Sequence, residues 1–473
     1  RFPGTNIISS YSRYYPLGHI GSHAIGYVGR INERELKRID PDKYRGSKYI
    51  GKVGVEKSYE EILHGQVGIQ KVETNVQGRI LRVLERRPPV AGSDLYLNID
   101  ITLQNFAEQV IKRERAAIVA IEPATGAVLA LASMPNYDLN LFSSGIDVKS
   151  YRKLRDAPDR PLYNRAIHGQ YPPGSTIKAF VGLAGLEYGV RTEHSRTWCP
   201  GFYRIKNHRH KYRCWNRRGH GSMNLHHALE QSCDVYFYDL AYDLGIDRLH
   251  AFMSRFGFGQ KTGIDLKGEF SGLMPSREWK RRVRKKAWYP GETLIAGIGQ
   301  GFMLSTPLQL AFATATLSMR GKVKTPRLVF ALDHESSNIM QIASPPPQAD
   351  VTLKKERFWD VAINGMVAVV HGRRGTARKV SKGSKYRFAG KTGTAQVFSI
   401  KQNERYDARR LAKHLHDHAL FVSFAPLHNP RIAVAVIVEN GGSGSKKAAP
   451  LAKKVMDYYL VPKKRASLMK SIR

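Results

Sequence analysis

The sequence predicts an α+β protein: a small β-rich N-terminal domain, then a larger domain whose strands lie at both ends of a long helical middle. Three observations carry this. Extended, alternating segments fill roughly the first 95 residues. An apolar hairpin pattern follows at 116–135, and strand patterns return only from Tyr386 onward. With 473 residues and 42% apolar composition, the chain can form two or three domains and bury at least one large core.

In order along the chain, "SHAIGYVGRIN" and "KYIGKVGVEKSYE" read as short strands and turns, and "IQKVETNVQGRILRVLERRPP" as an extended ribbon with one apolar face. The period then changes. In "LNIDITLQNFAEQVIKRER" (97–115), Leu103, Phe106, Ala107, Val110 and Ile111 share one helical stripe, with Asp100 or Thr102 placed to cap it. A boundary therefore belongs near residue 95. "AAIVAIEPATGAVLALASMP" (116–135) is a hairpin about a Pro-Ala-Thr-Gly turn. Helices and loops occupy about 160–330, and the strands "YRFAGKTGTAQVF", "HALFVSFAP" and "RIAVAVIVEN" precede a closing helix "APLAKKVMDYYL" at 449–460. This gives domains at 1–95 and 96–460 and a loose basic tail at 461–473.

Lys and Arg number 76 against 39 Asp and Glu, a formal charge of +37. Such a charge draws polyanions. No helix-turn-helix, zinc-finger spacing, RNP pattern or phosphate loop accompanies it, so nucleic acid is not the expected partner. A membrane surface or an acidic wall polymer fits as well. The densest run, "KRRVRKK" (280–286), reads as a solvated surface loop. No apolar run approaches the roughly 20 residues of a membrane span. The opening "RFPGTNIISS" has no signal-peptide pattern, so a membrane anchor is expected to be absent from this chain.

The chemistry concentrates in "QYPPGSTIKAF" (170–180). Ser-x-x-Lys alone says little, and it recurs at Ser150/Lys153 in a charged surface segment, Ser443/Lys446 in a flexible turn and Ser467/Lys470 in the tail. Only Ser175 follows a Pro-Pro-Gly stop and opens an apolar helix. There the backbone N–H groups favour a developing negative charge, and Lys178 lies one turn on along the same face. A serine hydroxyl needs a base, and a lysine serves only when its amine is neutral, which burial and a second cation promote. "AGKTGTAQV" supplies that second cation as Lys391 on a strand, where Gly393 leaves room for a substrate backbone. Lys261-Thr262-Gly263 repeats the tripeptide in a loop and reads as structural. "EQSCDVYFYDL" adds the polar bridge Ser232-Cys233-Asp234; the aromatics after it, Tyr236, Phe237, Tyr238 and Tyr242, read as core.

Ser175-Thr-Ile-Lys178, Ser232-x-Asp234 and Lys391-Thr-Gly-Thr394, in that order, resemble the penicilloyl serine transferases. With "RAIHGQYPPGSTIK", "GIGQGFMLSTPLQLA", "TGIDLKGE" and "HALFVSFAP", nearly the whole chain is similar to the class B penicillin-binding proteins, and "RYYPLG…HAIGYVGRIN" resembles the pedestal of their cell-elongation members. The resemblance implies an antiparallel sheet with helices on both faces. It implies Ser175 as acylated nucleophile, Lys178 as base, Ser232 as proton relay, and Lys391, Thr392 and Thr394 holding the substrate carboxylate. The backbone N–H groups of Ser175 and Thr394 would form the oxyanion hole. Asp234 stands where the family usually has Asn, leaving its role and the charge of Lys178 open.

The implied function is a D,D-transpeptidase of peptidoglycan stem peptides, blocked by β-lactams, at the periplasmic face of the inner membrane and needing no cofactor for catalysis. A glycan polymerase and an elongation scaffold are its implied partners through the pedestal. The rivals are a D,D-carboxypeptidase or β-lactamase, a penicillin-sensing receptor domain, and a nucleic-acid binder.

All three cysteines, Cys199, Cys214 and Cys233, lie between residues 199 and 233. Three thiolates and one imidazole make a closed tetrahedral zinc site, with His220 the best-placed fourth ligand among His208, His210, His226 and His227. A Cys199–Cys214 disulfide and three unlinked thiols are the other readings. "HLHDHAL" (414–420) reads as the entry to a strand rather than a second metal site.

Overall fold

The computed structural model describes residues 12–333, 339–342, 345, 348–397, 411–465 and 468. The chain divides into two compact units. The first comprises 1–97, 136–162 and 329–342, and the second 98–135, 163–328 and 343–473. The first unit thus takes in two stretches that lie far along the chain from the N-terminal segment.

In the first unit Val28–Arg30 pairs with Tyr49–Gly51, Ile69–Thr74 with Ile80–Arg87, and Asp94–Leu97 with Val329–Asp333, all antiparallel. Tyr15, Tyr137, Leu139 and Phe142 form its small core, with Tyr27 stacked on Phe142 at 3.9 Å. Strands and turns do not account for all of it. One-turn helices occupy Ser22–Ile25, Glu33–Leu36, Gly54–Ser58 and Glu60–Leu63. "KYIGKVGVEKSYE" leaves its strand at Gly54, whose φ of 67° turns the chain into helix and buries Glu56 under the Tyr15 hydroxyl. The long ribbon is extended, as expected. Every residue of its second strand, Ile80–Arg87, is exposed among the described residues.

The second unit is built on a five-stranded antiparallel sheet. Its strands are β1 (Ala116–Ile121), β2 (Val128–Met134), β5 (Ala389–Ala395), β6 (His418–Ala425) and β7 (Ile432–Val438), in spatial order β5-β6-β7-β1-β2. The short strands β3 (Thr197–Cys199) and β4 (Gly221–Met223) pair separately. β7 pairs with β1, so the C-terminal strands complete a sheet begun by the hairpin. Both faces are covered, which is why β1, β2 and β7 are continuous apolar runs instead of alternating ones.

On one face lie α1 (Ile101–Ile111) and the C-terminal helix α9 (Ala449–Leu460), joined where the Phe106 ring stacks on Tyr458 at 4.3 Å. Asp100 caps α1, its carboxylate accepting from the Thr102 and Leu103 N–H groups at 3.0 and 3.1 Å. On the other face lies α7 (Pro307–Ser318), buried along its whole length and started by a Thr306/Gln309 capping box.

Between the hairpin and the later strands come α2 (Lys178–Glu187), α3 (Leu225–Glu230), α4 (Asp234–Ser254), α5 (Arg277–Arg284), α6 (Pro290–Gly297) and then, after α7, α8 (Arg357–His371). The basic run 280–286 is largely helix rather than loop. Ser276 caps α5, and Lys280 turns inward to an ion pair with Glu292 and the face of Tyr289. Tyr236, Phe237 and Tyr238 are core, but Tyr242, on the outer face of α4, is 43% exposed. "HLHDHAL" runs into β6 at His418. Of the basic tail, Pro462–Lys464 forms one helical turn, and Ser467/Lys470 lie outside the described residues. No described helix is long and apolar enough to cross a membrane.

Candidate active site

Pro172 and Pro173 cannot extend a preceding helix, and Gly174, at φ 54°, turns the chain so that its N–H donates to the Gly299 carbonyl at 2.8 Å. The sequence expectation puts Ser175 on the first turn of α2. It lies just before, in a 3₁₀ turn over Gly174–Ile177, whose last bond runs from the Lys178 N–H to the Ser175 carbonyl. The consequence is the expected one: Ser175 is partly open and Lys178 is fully buried at the start of α2.

The second motif sits between two helices. Asn224 caps α3, α4 begins at Asp234, and Ser232 between them adopts φ 55°. That left-handed geometry costs a non-glycine residue about 1 kcal/mol or more. It allows both the carbonyl and the hydroxyl of Ser232 to meet Lys178 Nζ, at 3.0 and 3.4 Å. Asp234 accepts from the same amine at 2.6 Å and, with its other oxygen, from the Trp215 N–H at 2.9 Å.

Lys391 arrives on β5, an edge strand. Its buried amine donates to Ser232 Oγ at 2.9 Å and to the Thr392 carbonyl at 3.2 Å. The structure thus gathers Lys178, Ser232, Asp234 and Lys391 from four separate elements into one buried polar cluster. Thr392 is buried, its hydroxyl 3.0 Å from that of Thr376, while Thr394 faces solvent. Burial, and secondarily the charge of Lys178, hold the Lys391 amine well below the usual lysine range. Burial pushes the Asp234 carboxyl up, opposed by Lys178.

Gly393 serves a different purpose from the one its spacing suggests. A Cβ there would come 2.7 Å from Thr176 Cγ2 and 3.0 Å from the Pro173 carbonyl. The glycine lets β5 press against the turn carrying Ser175, so its space is filled by the protein itself. "GGSGSKK" is likewise not a free turn: Gly444 is buried, and a Cβ on it would meet the Gly393 carbonyl at 2.2 Å. Ser150, by contrast, lies on a solvent-facing helix over Val148–Arg155. Lys261-Thr262-Gly263 is a loop whose Thr262 and Gly263 N–H groups donate to Glu269.

Three contributors escaped the sequence reading. Gln300 Nε2 donates to the Thr394 carbonyl at 3.0 Å, clamping the loop after α6 to β5. Thr376 meets Thr392 and is itself held by Glu230, whose carbonyl accepts from the Thr376 N–H at 3.2 Å. Tyr171 donates to Glu439 at 2.7 Å just ahead of the catalytic turn. "GIGQGFMLSTPLQLA" carried the family resemblance, but nothing in its spacing names the neighbour of Gln300.

Behind the second motif the ligand atoms of Cys199, Cys214, His220 and Cys233 lie within 4.8 Å of one another, on β3, on the β3–β4 connection and at the N-terminal end of α4. All three cysteines are buried and unlinked. His220 Nδ1 is 3.5 Å from both Cys199 Sγ and Cys214 Sγ, and its other nitrogen is buried without a hydrogen-bond partner. Contacts with the other two sulfurs push the Cys199 thiol down and the Cys233 thiol up. His208, His210, His226 and His227 are not part of the cluster.

Comparison with known proteins agrees with this arrangement. Residues 116–457 match the penicillin binding protein transpeptidase domain, and residues 1–97 match the penicillin-binding protein dimerisation domain. The chain is 47% identical to the peptidoglycan D,D-transpeptidase MrdA of Acinetobacter baumannii over 98% of its own length and 68% of the relative's. It superposes on the crystal structure of Pseudomonas aeruginosa PBP2 in complex with WCK 5153 with a TM-score of 0.85 and 52% identity, covering 96% of this chain and 92% of that one. For Helicobacter pylori PBP2 in its complex with MreC the TM-score is 0.84 at 34% identity, covering 95% and 79%. With the ordered motifs, the sheet and the lysine–serine cluster in place, the chain belongs to the class B penicillin-binding proteins, the peptidoglycan D,D-transpeptidases.

Proposed function

We propose that the chain cross-links peptidoglycan stems during cell elongation through an acyl-enzyme on Ser175. The carrying observation is the buried meeting of Lys178, Ser232 and Lys391, with Nζ to Oγ distances of 3.4 and 2.9 Å, directly behind the turn that presents Ser175. Ser175 attacks the penultimate D-Ala carbonyl and passes its proton to Lys178. Ser232 links that amine to Lys391, so a proton can move among the three and reach the departing D-Ala. Thr392 and Thr394 on edge strand β5, with Lys391, receive the terminal carboxylate, and the Ser175 and Thr394 N–H groups receive the oxyanion. β-Lactams acylate the same serine.

The decisive experiment is labelling with benzylpenicillin followed by peptide mapping. The parent carries the adduct on Ser175, and Ser175→Ala loses it while its melting temperature moves by only about 2 °C. An adduct retained by Ser175→Ala overturns the assignment.

The thiol cluster supports a structural zinc, held by Cys199, Cys214, Cys233 and His220 Nδ1. Tetrahedral zinc with bonds of about 2.3 Å to sulfur sets ligand atoms about 3.8 Å apart, close to the spacings here. Its chemistry is to close the site and pin the backbone. Its ligands flank Asp234, which holds Lys178 and the Trp215 N–H. The exposed ribbon at 69–87 supports docking of an elongation scaffold and a membrane glycan polymerase to the first unit. That arrangement belongs at the periplasmic face of the inner membrane.

A further inference from the structure

Glu439 directly follows β7, and its N–H donates to the Arg115 carbonyl at 2.8 Å, extending the β7–β1 ladder by one more residue. Its backbone is therefore fixed to the central sheet. Its largely buried carboxylate, which the proposed acylation does not use, gathers three donors. Oε1 accepts from the Tyr171 hydroxyl at 2.7 Å and from Arg165 Nε at 2.9 Å, and Oε2 faces Arg115 Nε at 3.4 Å. Arg165 is itself buried, so two guanidinium groups hold the carboxylate in place.

Tyr171 is held at three points. Its hydroxyl sits on Glu439, its N–H and carbonyl bond to Ser305 at 3.0 and 2.9 Å, and its ring meets the His418 ring edge-on at 5.5 Å. Pro172 and Pro173 follow, with no N–H to donate and with φ confined by their rings; Pro173 sits at φ −69°. So stiff a link passes the orientation of Tyr171 on to the turn carrying Ser175 instead of absorbing it. The ring of His418 carries the same framework to the substrate strand. His418 opens β6 opposite Ala395, the next residue pairs with Thr394, and His418 Nδ1 accepts from the Asn440 N–H at 2.9 Å, one residue beyond Glu439. Ser175 and Thr394 are thus both tied, by short paths, to the Glu439 segment.

An oxyanion hole works only when both donors lie about 3 Å from the place the oxygen takes in the transition state. We propose that Glu439, acting through Tyr171, is a positioning residue that sets the separation of the Ser175 and Thr394 N–H groups. The inference rests on the acyl-enzyme proposed at Ser175. Glu439 touches no reacting atom. The initial complex with a β-lactam depends on the edge of β5, whereas the tetrahedral intermediate depends on the spacing of the two N–H groups. Loss of the Tyr171–Glu439 bond therefore slows acylation without weakening the initial complex.

The test is the rate of benzylpenicillin acylation of the full chain over a range of antibiotic concentrations, which separates the dissociation constant of the initial complex from the limiting acylation rate. Tyr171→Phe removes the hydroxyl and keeps the ring on His418. Its expected result is a fall of about ten-fold in the limiting rate, with the dissociation constant within about two-fold of the parent and the melting temperature within a few degrees. Glu439→Gln keeps an acceptor oxygen for Tyr171 and removes the charge. It also slows the limiting rate, and the double variant loses less than the product of the two single losses, because both act through one bond. Where loss of the charge prevents folding, Tyr171→Phe alone decides. An unchanged limiting rate in Tyr171→Phe, a loss confined to the dissociation constant, or single losses that multiply overturns the positioning role. Absence of any penicillin adduct on the parent overturns the acyl-enzyme instead, so the two failures are distinguishable.

Discussion

Lys391 shows how one buried side chain sets both stability and chemistry. Its amine is depressed in the folded protein, chiefly by burial, so the unfolded chain binds more protons between the folded value and about 10.4. Stability attributable to this residue therefore rises with pH across that window, by up to about 1.4 kcal/mol per pH unit. Lys391→Met is expected to flatten the rise, which denaturant unfolding at a series of alkaline pH values measures. The same variant leaves Ser232 Oγ without its 2.9 Å donor and is expected to slow benzylpenicillin acylation by about a hundred-fold. Gly393 is the steric counterpart. Gly393→Ala puts a methyl 2.7 Å from Thr176 and must separate β5 from the catalytic turn. The expected cost is about 1–3 kcal/mol of stability together with a slower acylation rate.

At the scale of elements, the active site is a junction of chain segments brought together from separate elements. The turn with Ser175 hangs from Gly299, β5 is clamped by Gln300, and Cys233 of the second motif lies in the thiol cluster with Cys199 and Cys214. If zinc occupies that cluster, native mass spectrometry shows one zinc lost on denaturation. A strong chelator then lowers the melting temperature by several degrees, and Cys214→Ser reproduces the loss. Unchanged melting with chelator and no mass excess would leave three packed thiols. These anchors also mark where sequence reading stopped. The three motifs were legible because each needs a residue type at a fixed local spacing. Gln300 and Thr376 were not, because their partners, Thr394 and Thr392, lie on a different element and only folding brings them together.

Over the whole molecule, the central sheet joins the two ends of the second unit. β7 pairs with β1, and Phe106 on α1 stacks against Tyr458 on α9. Phe106→Ala opens a cavity at a fully buried position and is expected to cost about 3–5 kcal/mol, read by denaturant unfolding. Below the transition its acylation rate stays near that of the parent, because the ring lies on the face of the sheet bearing α1 and α9, away from α7. The long sequence separation of these contacts makes the second unit a high-contact-order fold, for which slow folding is the expectation.

The sequence by itself determined the α+β class, the sheet strands, the closing helix, the cap at Asp100 and the ordered motifs at Ser175, Ser232 and Lys391, because apolar periodicity and local motif chemistry are written in neighbouring residues. It also singled out the cysteines with His220 from their clustering. Tertiary structure alone decided that Asp234 pairs with Lys178, that the Lys391 amine is fully buried beside Ser232, and that Gly393 accommodates Thr176. It also decided that the basic run at 280–286 is a helix with one lysine turned inward. Those outcomes depend on distance, burial and field between segments far apart in the chain, which a linear pattern does not encode.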